Sequence, residues 1–250
     1  MEMSKEQLST YFITGKLFVR WLILSLLVGL LVGGFSSVFS KAMTMATEIR
    51  ETHGIIIFFL PIGGFIIAAL YHVFNMRNDR GTNTVLANIH AGSEIPFRMA
   101  PLIFISTVIT HLFGGSAGRE GAALQLGGSI SNKLGLILKL DDKDKKVMVM
   151  CGMSAAFSAL FGTPMAAAIF PIEMVSVGVM YHAALFPCVI SSITATKFAA
   201  TMGIAPEAYN ILSIPELTFI SGFKVIVLSI ICAIISAIFC IILDGVSELY

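Results

Sequence analysis

The chain has 250 residues, of which 56% are hydrophobic and only 12% charged, and its net charge is +1. A soluble domain carries about twice that charged fraction, so the composition excludes an ordinary soluble protein and predicts a bundle of membrane spans. The near-neutral charge argues against a nucleic-acid partner. The four isolated cysteines fit neither a disulfide framework nor a zinc site.

The first 16 residues are polar and of mixed charge, which is not the composition of a cleavable signal peptide. We expect them to form a cytoplasmic N-terminal segment, followed by one transmembrane domain over residues 17–250 that is incomplete at its C-terminus. The first two apolar blocks cover residues 17–45 and 55–74, with a charged loop predicted at residues 48–53. Both blocks are long enough to cross a bilayer.

Glycine interrupts the apolar pattern in the middle of the chain. Short apolar segments at residues 99–113 and 122–140 flank residues 114–121, where four of the eight residues are glycine. This density predicts a break in the helix. A broken backbone at membrane depth lines a cavity or is buried in protein, and it points to the binding site of a transporter. An aqueous loop is predicted at residues 139–146, and further spans at residues 147–161, 164–181, 183–201 and 223–243.

The basic residues predict the orientation of the spans, because cytoplasmic loops carry an excess of lysine and arginine. Basic residues precede the first span, follow the second and fill the loop at residues 139–146. The loop at residues 48–53 holds one arginine against two glutamates. All basic clusters face the cytoplasm if the N-terminus is inside, and we expect a multi-pass protein of a bacterial inner or plasma membrane.

Glu120 carries the most specific chemical prediction, because an ionisable side chain in a membrane segment is costly and indicates function. It precedes a helix predicted to start near Gly121, whose N-terminal N–H groups and dipole can bind an anion. The carboxylate could occupy the anion position and leave it on protonation, so that one residue is both gate and proton carrier. The alternative is a structural ion pair between Arg119 and Glu120, with Arg119 holding the loop through carbonyls or a carboxylate.

Thr82 and Asn83 form a second candidate, because both are good N-cap residues for a half-helix at residues 85–91 and can donate hydrogen bonds to an anion. The alternative is an ordinary helix cap. Glu173, late in an apolar run, is either a structural partner or a functional carboxylate. No metal or other cofactor is expected, since the histidines are too scattered for a metal site (His72, His90 and His111).

Residues 95–128, with Gly118-Arg119-Glu120-Gly121 at their centre, resemble the gating-glutamate segment of the CLC family of chloride channels and proton-coupled halide antiporters. Residues 161–173 resemble the family's next patterned segment, and the resemblance covers about residues 17–245. It implies an all-α membrane protein of tilted and broken helices, with the first inverted repeat and the start of the second, and a homodimer at full length. Glu120 would be the gating and proton-carrying residue, and the anion site would include Thr82, Asn83, Gly118, Arg119, Gly121 and Ala122.

Three departures from the family pattern bear on the function. Ala122 stands where chloride-type members have proline and fluoride-exporting members typically have threonine. Met174 stands where proton-coupled chloride members have an inner glutamate, which places the chain nearer the fluoride-exporting branch. Residues 222–224 are a poor substitute for the Gly-x-Phe-x-Pro segment of the second repeat. We therefore expect a fragment, a truncated gene product or half of a split protein that cannot complete the pathway alone.

Three functions remain open at this point. The leading hypothesis is an anion transporter that conducts chloride, or exchanges fluoride or chloride for protons at Glu120. An intramembrane enzyme would need a metal cluster or a nucleophile pair, and the sequence contains neither pattern. The third hypothesis is a non-transporting membrane fragment that folds with a partner chain, since the second half of the pathway is missing.

Overall fold

The computed structural model describes residues 5–77, 81–91, 95–175, 181–206, 216 and 218–249. Within these residues there are nine α-helices, one short 3-10 helix at Gly54–Phe59 and no β-strand. Two compact units are present, residues 1–207 and 208–250. The first unit contains α1 (Lys5–Thr52), α2 (Leu60–Val73), α3 (Thr82–Ala91), α4 (Met99–Leu112), α5 (Glu120–Ile137), α6 (Asp142–Phe161), α7 (Pro164–Val175) and α8 (His182–Thr201), and the second contains α9 (Phe219–Leu249).

The first helix, α1, continues without a break to Thr52, so the loop predicted at residues 48–53 is wrong over most of its length. The Thr52 hydroxyl donates to a carbonyl of the preceding turn, which keeps this polar end helical. Glycines inside α1 mark the place where α8 approaches. A Cβ on Gly29 would lie 2.6 Å from Thr194 Cβ, and one on Gly33 would lie 2.9 Å from Ala195 Cα. Small residues permit this close packing of helices.

The sixth helix, α6, lies at the centre of the first unit and packs against α1, α5, α7 and α8. Most of its length is buried and built from glycine, alanine, serine and methionine. Serine hydroxyls join it to α8: Ser154 Oγ donates to the Cys188 carbonyl at 3.2 Å, and Ser158 Oγ donates to the Ser192 carbonyl at 2.9 Å. In membrane proteins such interhelical bonds contribute about 0.6 kcal/mol each on average.

The connection between α5 and α6 is shorter than the loop predicted at residues 139–146, because the second half of that stretch forms the first turn of α6. Asp141 caps this turn by accepting the Asp144 N–H at 2.8 Å. Hydrogen bonding to Lys145 holds the pKa of the exposed Asp142 carboxyl below its usual value. Arg20 donates to the Asp144 carboxylate at 2.6 Å, so this part of α1 lies at the same end of the bundle as the lysine-rich connection.

Four helices of the described chain are long and apolar enough to cross a membrane: Thr14–Thr52, Gly54–Val73, His182–Thr201 and Phe219–Val246. The apolar helices Met99–Leu112 and Pro164–Met174 are shorter. This mixture of full-length and short helices confirms the predicted multi-span architecture. The second unit supplies the most apolar span, with a mean hydropathy of 3.2. The predicted boundary at residue 17, between a cytoplasmic N-terminal segment and the transmembrane domain, stays a prediction.

Candidate anion site

The helix break predicted at residues 114–121 is confirmed, since α4 ends at Leu112 and α5 begins at Glu120. Gly114 has a φ of +79°, a left-handed conformation that glycine adopts without steric cost. The Gly115 N–H bonds to the Thr110 carbonyl at 2.8 Å and closes α4. A Cβ on Gly114 would lie 3.3 Å from Arg50 Cδ, so the break sits against the far end of α1.

Both half-helices begin with backbone N–H groups that have no acceptor within their own helix. In α5 the Ala123 N–H bonds to the Arg119 carbonyl at 2.9 Å, so the three preceding N–H groups have no acceptor within the helix. In α3 the Thr84 N–H bonds to the carbonyl of Gly81, whose φ is +59°. The half-helix predicted at residues 85–91 therefore starts at Thr82. Thr82 and Asn83 are its first two residues rather than caps that precede it.

The two helix N-termini meet at Thr82 and Gly121. Thr82 Oγ1 lies 3.1 Å from the position that a Cβ on Gly121 would occupy. Gln125, one turn further along α5, donates from Nε2 to Thr82 Oγ1 at 3.5 Å. The positive ends of both helix dipoles are thus brought together, and this concentrates partial positive charge without a full cation.

Glu120 is the first residue of α5, and its side chain is exposed. The carboxylate folds back over Gly118, where Oε2 occupies the space that a Cβ on Gly118 would need. The ion pairs Arg20–Asp144, Arg50–Glu51 and Lys145–Asp142 do not involve it. Glycine at position 118 is therefore what allows the carboxylate to lie against the start of its own helix.

A cavity of about 410 Å³ opens beside this point, between α2, α4 and the first turns of α5. Its wall combines hydroxyl groups from α2 and α4 with the N-terminal residues of α5, among them Tyr71, Thr107, Thr110, Gly118, Gly121, Ala122 and Gln125. We call it the inner cavity. Ser106 and Thr110 donate their hydroxyls to carbonyls of α4, at 2.6 Å and 2.7 Å respectively.

A second cavity of about 590 Å³, here called the vestibule, lies on the other side of the 114–119 loop. Charged and polar side chains line it: Thr47, Glu48, Arg50, Glu51, His111 and Arg119. Ala117 lines both cavities, so the loop is the wall between them. The Arg119 guanidinium lies 5.7 Å from the centre of the Phe161 ring, a cation–π distance.

The structure brings Thr82, Gly118, Gly121 and Ala122 to the start of α5 beside Glu120. Asn83 is exposed, and the lining residues of the inner cavity include neither Asn83 nor Arg119. In α7, Glu173 is exposed and Met174 half-buried. The predicted roles of these residues stay predictions.

Sequence reasoning missed one polar side chain in the wall of the inner cavity, that of Gln125. Gln125 is a polar residue in an otherwise apolar turn, four positions after Gly121, and that spacing on one helix face is the signal that could have found it. His111 lines the vestibule, and its Nε2 is buried without a hydrogen-bond partner among the described residues. No sequence signal reveals that His111 lines this cavity.

A broken helix whose N-terminal residues line a cavity inside an apolar bundle is a feature of membrane transporters. The profile of the family described as "Voltage gated chloride channel" matches residues 63–250. The chain belongs to this family.

Relatives and solved structures agree with this assignment. The chain is 41% identical over 193 residues to the "Chloride/fluoride channel protein" of Pseudomonas syringae pv. tomato, covering 77% of this chain and 43% of that protein. It is 25% identical over 190 residues to the "H(+)/Cl(-) exchange transporter ClcA" of Vibrio cholerae, covering 69% of this chain and 40% of that protein.

The fold is similar to a crystal structure of a CLC-type fluoride/proton antiporter, with a TM-score of 0.80 and 33% identity over 92% of this chain and 56% of that one. A slow cyanobacterial Cl⁻/H⁺ antiporter shares the fold with a TM-score of 0.55 and 23% identity, over 72% of this chain and 47% of that one. The chain thus spans less than half the length of these two curated relatives. The all-α CLC architecture expected from the sequence is confirmed.

Proposed function

We propose that the protein moves a small halide ion across the membrane at the point where α3 and α5 meet, by transport rather than by enzymatic catalysis. The observation that carries the proposal is the convergence of two helix N-termini, at Thr82 and Gly121, beside a carboxylate. Unpaired N–H groups and aligned dipoles attract a compact anion at modest desolvation cost. The anion site would comprise Thr82, Gly118, Gly121 and Ala122, with Asn83 and Arg119 near its approaches.

Glu120 would act as gate and proton carrier in this proposal. A carboxylate at the start of α5 competes with an external anion for the same N–H groups. Protonation removes its charge and therefore its affinity for the helix N-terminus, so the anion can replace it. The position of Oε2 over Gly118 supports this, because only glycine leaves room for the carboxylate there.

Fluoride exchanged for protons is the transport mode we favour, with chloride as the second candidate. The 33% identical structure is a fluoride/proton antiporter, whereas the relative named as a chloride exchanger is 25% identical. Met174, which stands where proton-coupled chloride members have an inner glutamate, supports the same choice, whereas Ala122 matches the pattern of neither branch. The relative with 41% identity carries both anions in its name.

The orientation proposed for the chain has the N-terminus and the lysine-rich connection in the cytoplasm. The ion pair between Arg20 and Asp144 supports their location at one end of the bundle. Arg50 lies about 45 Å further along α1 by helical rise, beside the break before Glu120. Glu120 would then face the outside of a bacterial inner or plasma membrane, and the full-length protein would work as a homodimer.

The test is halide-driven proton movement in liposomes containing the purified full-length protein. With fluoride inside and none outside, we expect fluoride to leave and protons to enter, measured with a fluoride electrode and a pH electrode. Chloride under the same gradient should move more slowly. Liposomes that release neither halide faster than protein-free liposomes would rule out the proposed function. Fluoride release without proton entry would show that the protein conducts fluoride passively and does not exchange it for protons.

Substitution of Gly118 by alanine should change gating without unfolding the protein. The new Cβ would overlap Glu120 Oε2, which is the far end of a flexible side chain and can move away. We expect the melting temperature to stay within about 2 °C of wild type, a shift of roughly 1 kcal/mol or less, and the halide release rate to change several-fold. An unchanged halide release rate would mean that gating does not require the Glu120 carboxylate to lie over residue 118.

A further inference from the structure

Gln125 is the buried polar side chain of the inner cavity whose hydrogen bonding is incomplete. The residue is only 6% exposed. Its Nε2 reaches Thr82 Oγ1 at 3.5 Å, a long hydrogen bond, and its Oε1 has no hydrogen-bond partner among the described residues. Buried amides normally satisfy both ends. A side chain placed this way, in the wall of a cavity at the start of α5 and in contact with the first residue of α3, indicates a ligand that completes its hydrogen bonding.

The neighbours of Gln125 decide what kind of ligand this is. The N–H groups of Gly121 and Ala122 are donors without an intrahelical acceptor, and both residues line the same cavity as Gln125. A ligand that only donates hydrogen bonds would satisfy Oε1, but its donors would face the N–H donors of Gly121 and Ala122 and be repelled by them. A ligand that accepts hydrogen bonds suits them, provided that the carboxamide turns its own N–H groups toward it.

The carboxamide can make this turn at little cost. Oxygen and nitrogen of a glutamine amide exchange places on a half-turn about the last side-chain bond, and the two orientations differ only in their hydrogen bonds. After the half-turn, Oε1 faces Thr82 and accepts the hydroxyl hydrogen. Nε2 then occupies the place of the unpartnered oxygen and can donate to an anion.

We propose that Gln125 is a direct ligand of the transported anion, held in the donating orientation by the Thr82 hydroxyl. The ligand class is a small monovalent inorganic anion, and the inference rests on the proposed function. The amide of Gln125 adds side-chain N–H donors to the backbone N–H donors of α5. Its hydrogen bond to Thr82 makes the orientation of the amide depend on the position of α3. A compact, charge-dense anion benefits most from such donors, so Gln125 would favour fluoride over chloride.

Gln125→Met tests this proposal, because methionine keeps the length and flexibility of the side chain and removes its donors. Fluoride and chloride dissociation constants are measured by titration calorimetry on the full-length protein. We expect the fluoride dissociation constant to rise about tenfold or more, the loss of a hydrogen bond to a charged group. The chloride constant should rise less. A fluoride constant within twofold of wild type would overturn the proposal.

The matched control is Asn132→Leu, at the other amide of α5. Asn132 is also buried, but its Nδ2 donates to the Ile95 carbonyl at 3.2 Å, and it does not line the inner cavity. We expect this variant to lower the melting temperature while the halide constants stay within twofold of wild type. If Asn132→Leu weakened halide binding as much as Gln125→Met, the effect would be a general loosening of α5 and the proposal would fail.

Gln125→Glu provides a readout that loss of folding cannot imitate. On a Glu120→Gln background, the glutamate at position 125 is the one group introduced beside the anion. The ionised carboxylate repels the halide, and the neutral carboxylic acid donates a hydrogen bond to it. Halide binding should therefore weaken about tenfold for each pH unit above the pKa of this carboxyl group, and a flat pH profile would contradict the proposal.

A wild-type protein that neither binds nor moves halide would refute the proposed function itself. If the wild-type protein transports halide and the Gln125 variants bind it with unchanged dissociation constants, only the role of Gln125 is refuted.

Discussion

Glu120→Gln is expected to abolish halide-driven proton entry into liposomes while halide release continues. Glutamine has the shape of a protonated glutamate but can neither release nor take up a proton. It also lacks the negative charge that lets the carboxylate compete for the N–H groups at the start of α5. The gate should therefore stay open, and proton entry should fall to the level of protein-free liposomes.

The matched control is Glu51→Gln, which removes a carboxylate from the vestibule and leaves the start of α5 unchanged. Glu51 pairs with Arg50 at 3.5 Å and is largely exposed, so we expect coupling close to wild type. Proton entry that survives in Glu120→Gln would contradict the role of Glu120. Glu173→Gln, in the same assay, decides between the structural and the functional interpretation of that residue.

The position of the candidate site could be predicted from the sequence because its signals are local. Four glycines in eight residues predict a break, and a helix that restarts at a charged residue predicts exposed N–H groups. The meeting of Thr82 with Gly121 depends on packing between segments about forty residues apart. Only the family resemblance suggested it, and residues at that separation carry no periodicity that links them.

Glycine within helices was ambiguous in the sequence for a physical reason. The same residue type ends α4 at Gly114, where φ is positive, and lies inside the unbroken α1 at Gly29 and Gly33, where α8 approaches. Local propensity favours a break in both cases. What differs is the neighbouring helix, which stabilises a continuous α1 by packing against its glycines. The sequence shows where a close approach is possible, but not which helix makes it.

Gly152→Ala should cause a large loss of stability, because the added methyl group would fall where two helix backbones are in contact. The backbones of α5 and α6 touch where Gly127 and Gly152 cross, and a Cβ on Gly152 would meet the Gly127 carbonyl oxygen and the Ser131 side chain. Because a carbonyl in a helix cannot rotate away, α5 itself must shift. Overpacking typically costs about 1–3 kcal/mol, and this backbone contact should reach the upper end of that range.

The loss of stability is measured by heating the protein in detergent and determining, by size-exclusion chromatography, the fraction that stays folded at each temperature. A loss of about 3 kcal/mol corresponds to a melting temperature lowered by roughly 6–12 °C in a chain of this size. Gly64→Ala in α2 is the matched control, because nothing lies within 4 Å of the added methyl group. It should leave the protein as stable as wild type or up to about 1 kcal/mol more stable, since alanine favours helix over glycine.

The same variant connects packing with transport, because Gly127 lies two turns along α5 from Glu120. A shift of α5 at the crossing point would move the N–H groups of its first turn relative to Thr82. We therefore expect the folded fraction of Gly152→Ala to release fluoride more slowly, in addition to its lower melting temperature. If Gly152→Ala had the melting temperature and the fluoride release rate of the wild-type protein, α5 and α6 would be able to separate without cost. That result would contradict the importance of the contact between their backbones.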